Sequence, residues 1–323
     1  MSSKPLELLL IGPLRPVLAK GLANFTVHKL AAAGDREAFW LSTPPLRAMA
    51  VSAPVEPVNQ ALFARLPDLE IVASFGVGYD HIDARAAAKR GIVVTHTPYV
   101  LTEEVADTAI GLLLSTVREL PQAERYLRAG KWLEANYPLS RATLRNRTVG
   151  LVGMGRIGRA IAQRLEAFGV PIVYHTRQPR PDLAYRHYPR LIDMARDVDT
   201  LVVIVPGGAA TRNMIDASVL DALGPDGVLI NVARGSVVDE DALIEALKTR
   251  KIFAAGLDVF VNEPAVPAEL LALDNVVLLP HLGSASVFTR EKMDQLLVDN
   301  LLAWSRGEPP LTPVPETPWQ GWR

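Results

Sequence analysis

Three short segments carry side chains able to bind an acid and move a proton. Ile230-Asn-Val-Ala-Arg-Gly235 sets Arg234 at the carboxyl end of an apolar run, and Leu257 to Pro264 sets Glu263 just past the next run. Leu278-Leu-Pro-His-Leu-Gly283 ends a third run on His281. Open α/β sheets bind ligands in the crevice beyond the carboxyl ends of their strands, where all three would lie. A guanidinium offers a planar donor fork that matches a carboxylate, and an imidazole exchanges its proton near neutral pH. Singly, each has an equally good plain explanation: Arg234 as a surface ion-pair residue, Glu263 as a loop acid before Pro264, His281 as a satisfied histidine at a strand end. Their joint occurrence weakens all three explanations.

A fourth segment, Val149-Gly-Leu-Val-Gly-Met-Gly-Arg-Ile-Gly158, places G-x-G-x-x-G between an apolar strand and a helix with Ile157, Ile161, Leu165 and Phe168 on one face and Gly169 as its stop. Gly153 permits a tight turn, Gly155 lets the backbone approach a pyrophosphate, and Gly158 lets helix and sheet pack closely. The free N–H groups of the helix start favour phosphate. Three glycines alone also fit a tight turn in any αβ unit; the strand before and the helix after favour the nucleotide. A ribose-binding acid belongs about 20 residues on. The sequence there is His175-Thr-Arg-Gln-Pro-Arg180, with no carboxylate before Asp182. An acid would repel a 2′-phosphate, whereas Thr176, Arg177 and Arg180 can bind one, so NADP(H) is favoured over NAD(H). The alternative is that these arginines are solvated loop charges.

Short apolar runs alternate with helical patterns along the whole chain, which predicts an α/β fold of two doubly wound parallel-sheet domains. Strands are expected at Leu6–Ile11, Thr26–Leu30, Met49–Ser52, Ile71–Ser74 and Ile92–His96, with a helical segment at Val58–Leu66. Pro98 closes this unit. Thr102 then starts a long helix with Glu103 and Glu104 in its first turn and Val105, Ala109, Leu112, Leu113, Thr116 and Leu120 at helical spacing. Six further strands are expected at Val149–Val152, Ile172–His175, Leu201–Val205, Val228–Val232, Ala254–Val259 and Val276–Leu279. A helix from Thr289 to Trp304 leads to a tail that cannot be helical past Pro309.

At 323 residues the chain is long enough for two domains with cores of their own, and 49% hydrophobic with 21% charged residues reads as a globular enzyme. A net charge of −1 gives nucleic-acid binding no electrostatic support. The absence of cysteine excludes disulfides, thiolate metal sites and a cysteine nucleophile, and fits a reducing compartment, with the cytoplasm as the expected location. No metal site and no membrane span are expected; the apolar run Leu6–Ile11 reads as a first buried strand rather than a leader.

With GMGRIG from Gly153, NVARG through Arg234, LDVFVNEP around Glu263 and LPHLGSAS around His281, the chain resembles the D-2-hydroxyacid dehydrogenase family over nearly its whole length. HTRQPR after the second strand and LGPDGVLINVARGSVVDE resemble its glyoxylate/hydroxypyruvate reductase branch, which includes plant hydroxyphenylpyruvate reductases. The resemblance implies a Rossmann cofactor domain, residues 99–286, inserted into a flavodoxin-like substrate domain, residues 1–98 and 287–323. It implies NADPH-dependent reduction of small 2-oxo acids, glyoxylate and hydroxypyruvate, to 2-hydroxy acids of D form when chiral, with NAD(H) used at lower affinity.

In that scheme Arg234 binds the substrate carboxylate and polarises the 2-oxo group, and His281 donates a proton to the ketone oxygen and takes it back in reverse. Glu263 bonds the other imidazole nitrogen, holding the ring and favouring its charged form. The backbone N–H groups of Val77 and Gly78 help to hold the carboxylate. Cofactor contacts fall on Met154, Arg156 and Ile157 beside the three glycines, and on Pro206, Val232, Ala233, Asp258 and Gly283, with Asp258 at the nicotinamide carboxamide. A homodimer through the cofactor domain is implied, with Arg118 to Arg147 as its arm.

His81 reads as a structural hydrogen-bonder, and His28, His96, His175 and His187 receive no catalytic role. Packing is the reading for all five tryptophans, including Trp132 on the arm and Trp319 and Trp322 in the tail. A reductase of bulkier acids such as hydroxyphenylpyruvate is the main alternative. An NAD-linked phosphoglycerate dehydrogenase is disfavoured by the missing acid, and a nucleotide-sensing interaction protein by the retained Arg, Glu and His.

Overall fold

A computed structural model of the chain describes residues 5–30, 34–53 and 55–321; Trp322 lies outside them. Two compact units are present, one of Met1–Leu101 with Ser286–Arg323 and one of Thr102–Ala285, so the second interrupts the first in sequence.

The first unit holds five parallel strands: β1 (Leu6–Ile11), β2 (Phe25–Lys29), β3 (Ala48–Val51), β4 (Ile71–Ser74) and β5 (Val93–Thr95). Their order is β2-β1-β3-β4-β5, the flavodoxin-like order, which changes direction between β1 and β3. Every residue of β3, β4 and β5 is buried. Continuous apolar runs of this kind belong to parallel strands covered on both faces.

The helix Val287–Ser305 brings the chain back to this unit. Ser286 caps it by accepting the Thr289 N–H, and Met293, Leu297, Leu301 and Trp304 are buried at helical spacing. The tail then runs extended past β5, where the Val314 N–H reaches Val94 O at 2.9 Å and Thr95 forms an antiparallel bridge with Pro313.

The second unit holds seven parallel strands in the order β12-β11-β10-β9-β6-β7-β8. They are β6 (Val149–Val152), β7 (Ile172–His175), β8 (Arg186–Tyr188), β9 (Thr200–Val203), β10 (Val228–Asn231), β11 (Ala254–Leu257) and β12 (Val276–Leu278). Read from the other edge, this is the Rossmann order 3-2-1-4-5-6 with one strand added. The seventh strand, β8, adds to the six expected. It has three residues, Arg-His-Tyr, at a sheet edge with one of them buried, so no apolar run announces it.

Two apolar assignments need correction. The helix Thr102–Val117 buries Val105, Ala109, Leu112, Leu113 and Thr116 as its spacing predicts, but Leu120 is exposed and opens a separate helix, Leu120–Arg128. The break lies at Glu119, whose φ of 53° is left-handed. Phe168 lies beyond the helix Arg156–Glu166 and is also exposed. Gly169, at φ 66°, ends that helix by donating its N–H to Glu166 O.

The tryptophans divide. Trp304 is fully buried, whereas Trp132 is exposed over most of its surface, as are Leu127, Leu133 and Leu139 nearby in the chain. Among those residues no helix is long and apolar enough to cross a membrane.

Candidate active site

Each glycine of the 153–158 turn meets a distinct demand. Gly153 has φ 108°, and a Cβ there would come within 2.5 Å of Ile204 O. A Cβ on Gly158 would fall 2.4 Å from Gly153 O. Nothing lies within 4 Å of the corresponding position on Gly155. The first and third glycines thus close the turn against the sheet, and the second leaves backbone open to an incoming group. Gly155 is also the N-cap of the helix Arg156–Glu166 and supplies no side-chain cap, so the helix start keeps N–H groups for a ligand. This open, donor-rich surface fits a dinucleotide pyrophosphate. Met154 is buried in the apolar core that also holds Ile161 and Leu165.

The end of β7 lies beside it, since the Gly153 N–H donates to His175 O at 3.0 Å. Thr176 O accepts from His187 Nε2 on β8 at 2.9 Å, and Tyr174 Oη accepts the Arg180 N–H at 2.7 Å. Arg177 and Arg180 are exposed, and among the described residues neither has an ion-pair partner. Asp182, the first acid after β7, is held by Arg159 at 2.6 Å, and that bond first of all lowers its carboxyl below the usual range. The loop therefore presents two exposed guanidiniums, that of Arg180 within electrostatic reach of Asp182, where a ribose-binding acid would otherwise stand.

Strand register brings the other site residues to one edge. Asn231 pairs with Leu257 and Leu257 with Leu278, so β10, β11 and β12 end level. Arg234 follows β10, and its Nη1 donates to Ala233 O at 2.7 Å. Glu263 follows β11. Its Oε1 accepts the Phe260 N–H at 3.0 Å and its Oε2 accepts from His281 Nδ1 at 2.7 Å. His281 follows β12 with φ 52°, a conformation that costs on the order of 1 kcal/mol for a residue with a Cβ. Its N–H donates to Asp258 O at 2.9 Å, and the next two N–H groups, of Leu282 and Gly283, donate to the Asp258 carboxylate at 2.7 and 2.9 Å. Those three bonds hold the turn. The Glu263 carboxylate fixes a proton on His281 Nδ1, and Nε2 has no protein partner among the described residues.

In the first unit the chain turns directly after β4. Gly76 has φ 113°, its N–H donates to Thr97 Oγ1 at 2.8 Å, and its oxygen accepts the Thr97 N–H at 2.8 Å. Val77 O accepts from His96 Nδ1 at 2.9 Å. His81 shares a hydrogen bond with Ser74 Oγ at 3.3 Å, the structural part expected of it.

Residues 110–283 match the NAD binding domain of the D-isomer specific 2-hydroxyacid dehydrogenases. The chain belongs to this family. A glyoxylate/hydroxypyruvate reductase of Arabidopsis thaliana is 51% identical over 78% of this chain and 80% of its own length. A hydroxyphenylpyruvate reductase of Plectranthus scutellarioides is 47% identical over the same shares. Among solved structures, an NADPH-dependent glyoxylate/hydroxypyruvate reductase from Sinorhizobium meliloti, in complex with NADP and malonate, is 53% identical with a TM-score of 0.91 over 99% of this chain and all of that one.

Several residues of this 2-hydroxyacid dehydrogenase do work that the sequence left unread. Asn231, fully buried, accepts the Ala233 N–H and donates to Arg234 O, both at 3.0 Å, and so sets the backbone that carries Arg234. A Cβ on Gly235 would stand 1.9 Å from the Phe260 carbonyl carbon, so only glycine lets the Arg234 loop approach the loop bearing Glu263. Burial pushes the Asp258 carboxyl up, against the two N–H bonds it accepts. Asp258 is thus a positioning group for His281 whatever else it touches. The NVARG motif contained the signal for Asn231 and Gly235. No local signal marked His96.

Proposed function

We propose that this chain is an NADPH-dependent reductase of small 2-oxo acids, glyoxylate and hydroxypyruvate, giving 2-hydroxy acids of D form when chiral. The observation that carries this reading is His281: Glu263 fixes the ring through Nδ1, and Nε2 is left to a substrate. Residues 1–98 and 287–323 form the substrate domain in this reading, and residues 99–286 form the cofactor domain. The Sinorhizobium and Arabidopsis relatives support it.

Bound NADPH supplies the hydride. The N–H groups from Gly153 to Gly158, through Met154, Gly155, Arg156 and Ile157, hold its pyrophosphate. Thr176, Arg177 and Arg180 take the 2′-phosphate by charge-assisted bonds, which leaves NAD(H) the weaker cofactor. Pro206, Val232 and Ala233 line the cofactor through their backbones, and Asp258 and Gly283 serve the nicotinamide end. The Asp258 carboxylate oxygens keep lone pairs beyond those given to Leu282 and Gly283, so an amide can still be received. The substrate carboxylate bonds to the Val77 and Gly78 N–H groups and to Arg234, whose fork also polarises the 2-oxo oxygen. His281 donates its Nε2 proton to that oxygen during reduction and recovers it during oxidation.

Exposed Leu120, Leu127, Trp132, Leu133 and Leu139 support a homodimer through the segment 118–147, and the absence of cysteine supports a cytoplasmic setting. A second reading, reduction of hydroxyphenylpyruvate, rests on the Plectranthus relative. One assay separates the two. NADPH consumption should follow addition of glyoxylate or hydroxypyruvate, with hydroxyphenylpyruvate turned over more slowly; turnover of the aryl acid alone would decide for the second reading.

A further inference from the structure

Two successive peptide groups after β4 are fastened by their oxygens from one side. Thr97 N–H donates to Gly76 O at 2.8 Å and His96 Nδ1 donates to Val77 O at 2.9 Å. Neither peptide is cis. In a planar trans peptide the N–H points opposite to the C=O. Fixing Gly76 O therefore turns the Val77 N–H away from the 96–97 segment, and fixing Val77 O turns the Gly78 N–H the same way. Neither N–H meets a partner among the described residues. Two adjacent donors with a common aim form an anion-binding nest.

His96 is itself held at its backbone. Its backbone N–H reaches Thr312 O at 3.2 Å, and its oxygen accepts from Thr312 Oγ1 at 2.6 Å. Thr312 is tied in turn to Asn300, buried in the helix Val287–Ser305, by bonds of 2.9 and 3.0 Å. Tyr79 meets the imidazole edge-on at 5.5 Å between centroids and donates its hydroxyl to Glu316 at 3.0 Å. Burial, then the Glu316 bond, pushes that hydroxyl up to about 12, so it remains a donor at neutral pH.

We propose that His96 is a positioning residue for the substrate carboxylate: through Val77 O it keeps the Gly78 N–H, beside that of Val77, aimed at the acid. This rests on the reading that Val77 and Gly78 receive the carboxylate. The Thr97 donor is backbone, which any residue except proline supplies. The His96 donor is a side chain, so substitution can remove it. Glycine at 78 offers little resistance to rotation of the Val77–Gly78 peptide, and a rotated peptide would turn an oxygen toward the carboxylate.

Histidine Nδ1 stands at the same bond separation from Cα as Asn Nδ2 and Leu Cδ. His96→Asn keeps a donor at that point, and His96→Leu keeps only the bulk. The test measures KM and kcat for glyoxylate, inhibition by oxalate, which cannot be reduced in its place, and NADPH affinity. His96→Leu should raise KM and the oxalate inhibition constant about 10-fold or more, with kcat and NADPH affinity nearly unchanged. His96→Asn should stay within about 2-fold of wild type by the same bond count. Equal behaviour of the two variants overturns the proposal, as does a loss of NADPH affinity in step with KM. Should His96→Leu fail to fold, His96→Ser, too short to reach Val77 O, is judged by the same outcomes. Wild-type turnover with His96→Leu unimpaired would sink this inference and leave the function standing. Absent turnover, with oxalate affinity still separating Leu from Asn, would sink the function and leave the nest standing.

Discussion

Glu263 reaches His281 with one carboxylate oxygen at 2.7 Å while its other oxygen takes the Phe260 N–H at 3.0 Å, so the acid that orients the imidazole is itself fixed by the loop it sits on. Burial alone would raise this carboxyl. The His281 bond, the Phe260 bond and the positive charges of His281 and Arg234 outweigh burial and hold it below the usual range.

A carboxyl lowered on folding contributes stability above its unfolded value and loses that contribution as pH falls through the folded one. Glu263, held low in this way, contributes that stability as the carboxylate bonded to His281. One proton, that of His281, governs the acid side of hydroxy acid oxidation. The logarithm of kcat/KM for oxidation, which requires the neutral ring, should fall with a slope of about one as pH falls. A slope of two would show that a second group, Glu263 or Asp258, takes up a proton as well.

Gly235→Ala places a methyl carbon against the Phe260 backbone, which cannot yield as a side-chain tip would. A loss of about 2 kcal/mol or more is expected in urea unfolding, together with a fall in turnover as the Glu263 loop is displaced. An unchanged midpoint and unchanged turnover would show that this approach is not needed.

Much of this arrangement is legible in the sequence. The spacing of Gly153, Gly155 and Gly158 dictates a local geometry, so sequence alone assigned each glycine its part, and Gly155 is open as that part requires. Arg234, Glu263 and His281 stand out in the sequence because each lies at or just past the end of an apolar run. β8 was missed because Arg186–Tyr188 is a three-residue edge with little to bury. Leu120 was misread because apolar spacing continues across Glu119, while the backbone there turns left-handed. His96 meets Val77 across 19 residues, and such a contact depends on β4 and β5 being neighbours.

Arg177→Ala tests cofactor choice. The guanidinium is exposed and unpaired, so its removal disturbs no internal ion pair. Loss of a charged hydrogen bond to the 2′-phosphate should weaken NADPH binding by about 1.5–3 kcal/mol, roughly 10- to 150-fold, and leave NADH binding unchanged. Equal losses for both cofactors would mean that Arg177 does not read the phosphate.

Proton donation by His281 is the central claim, and the variant His281→Ala, assayed with NADPH and glyoxylate across pH beside NADPH affinity, tests it most directly. Wild-type reduction should decline as pH rises and the imidazole loses its proton. The variant should lose at least about 100-fold in turnover, the usual scale of general acid catalysis, and that decline with it. NADPH affinity should persist, because the pyrophosphate is held at Gly153 to Gly158. Near-normal reduction by His281→Ala, with the wild-type pH dependence intact, would contradict the account and assign the proton to another group.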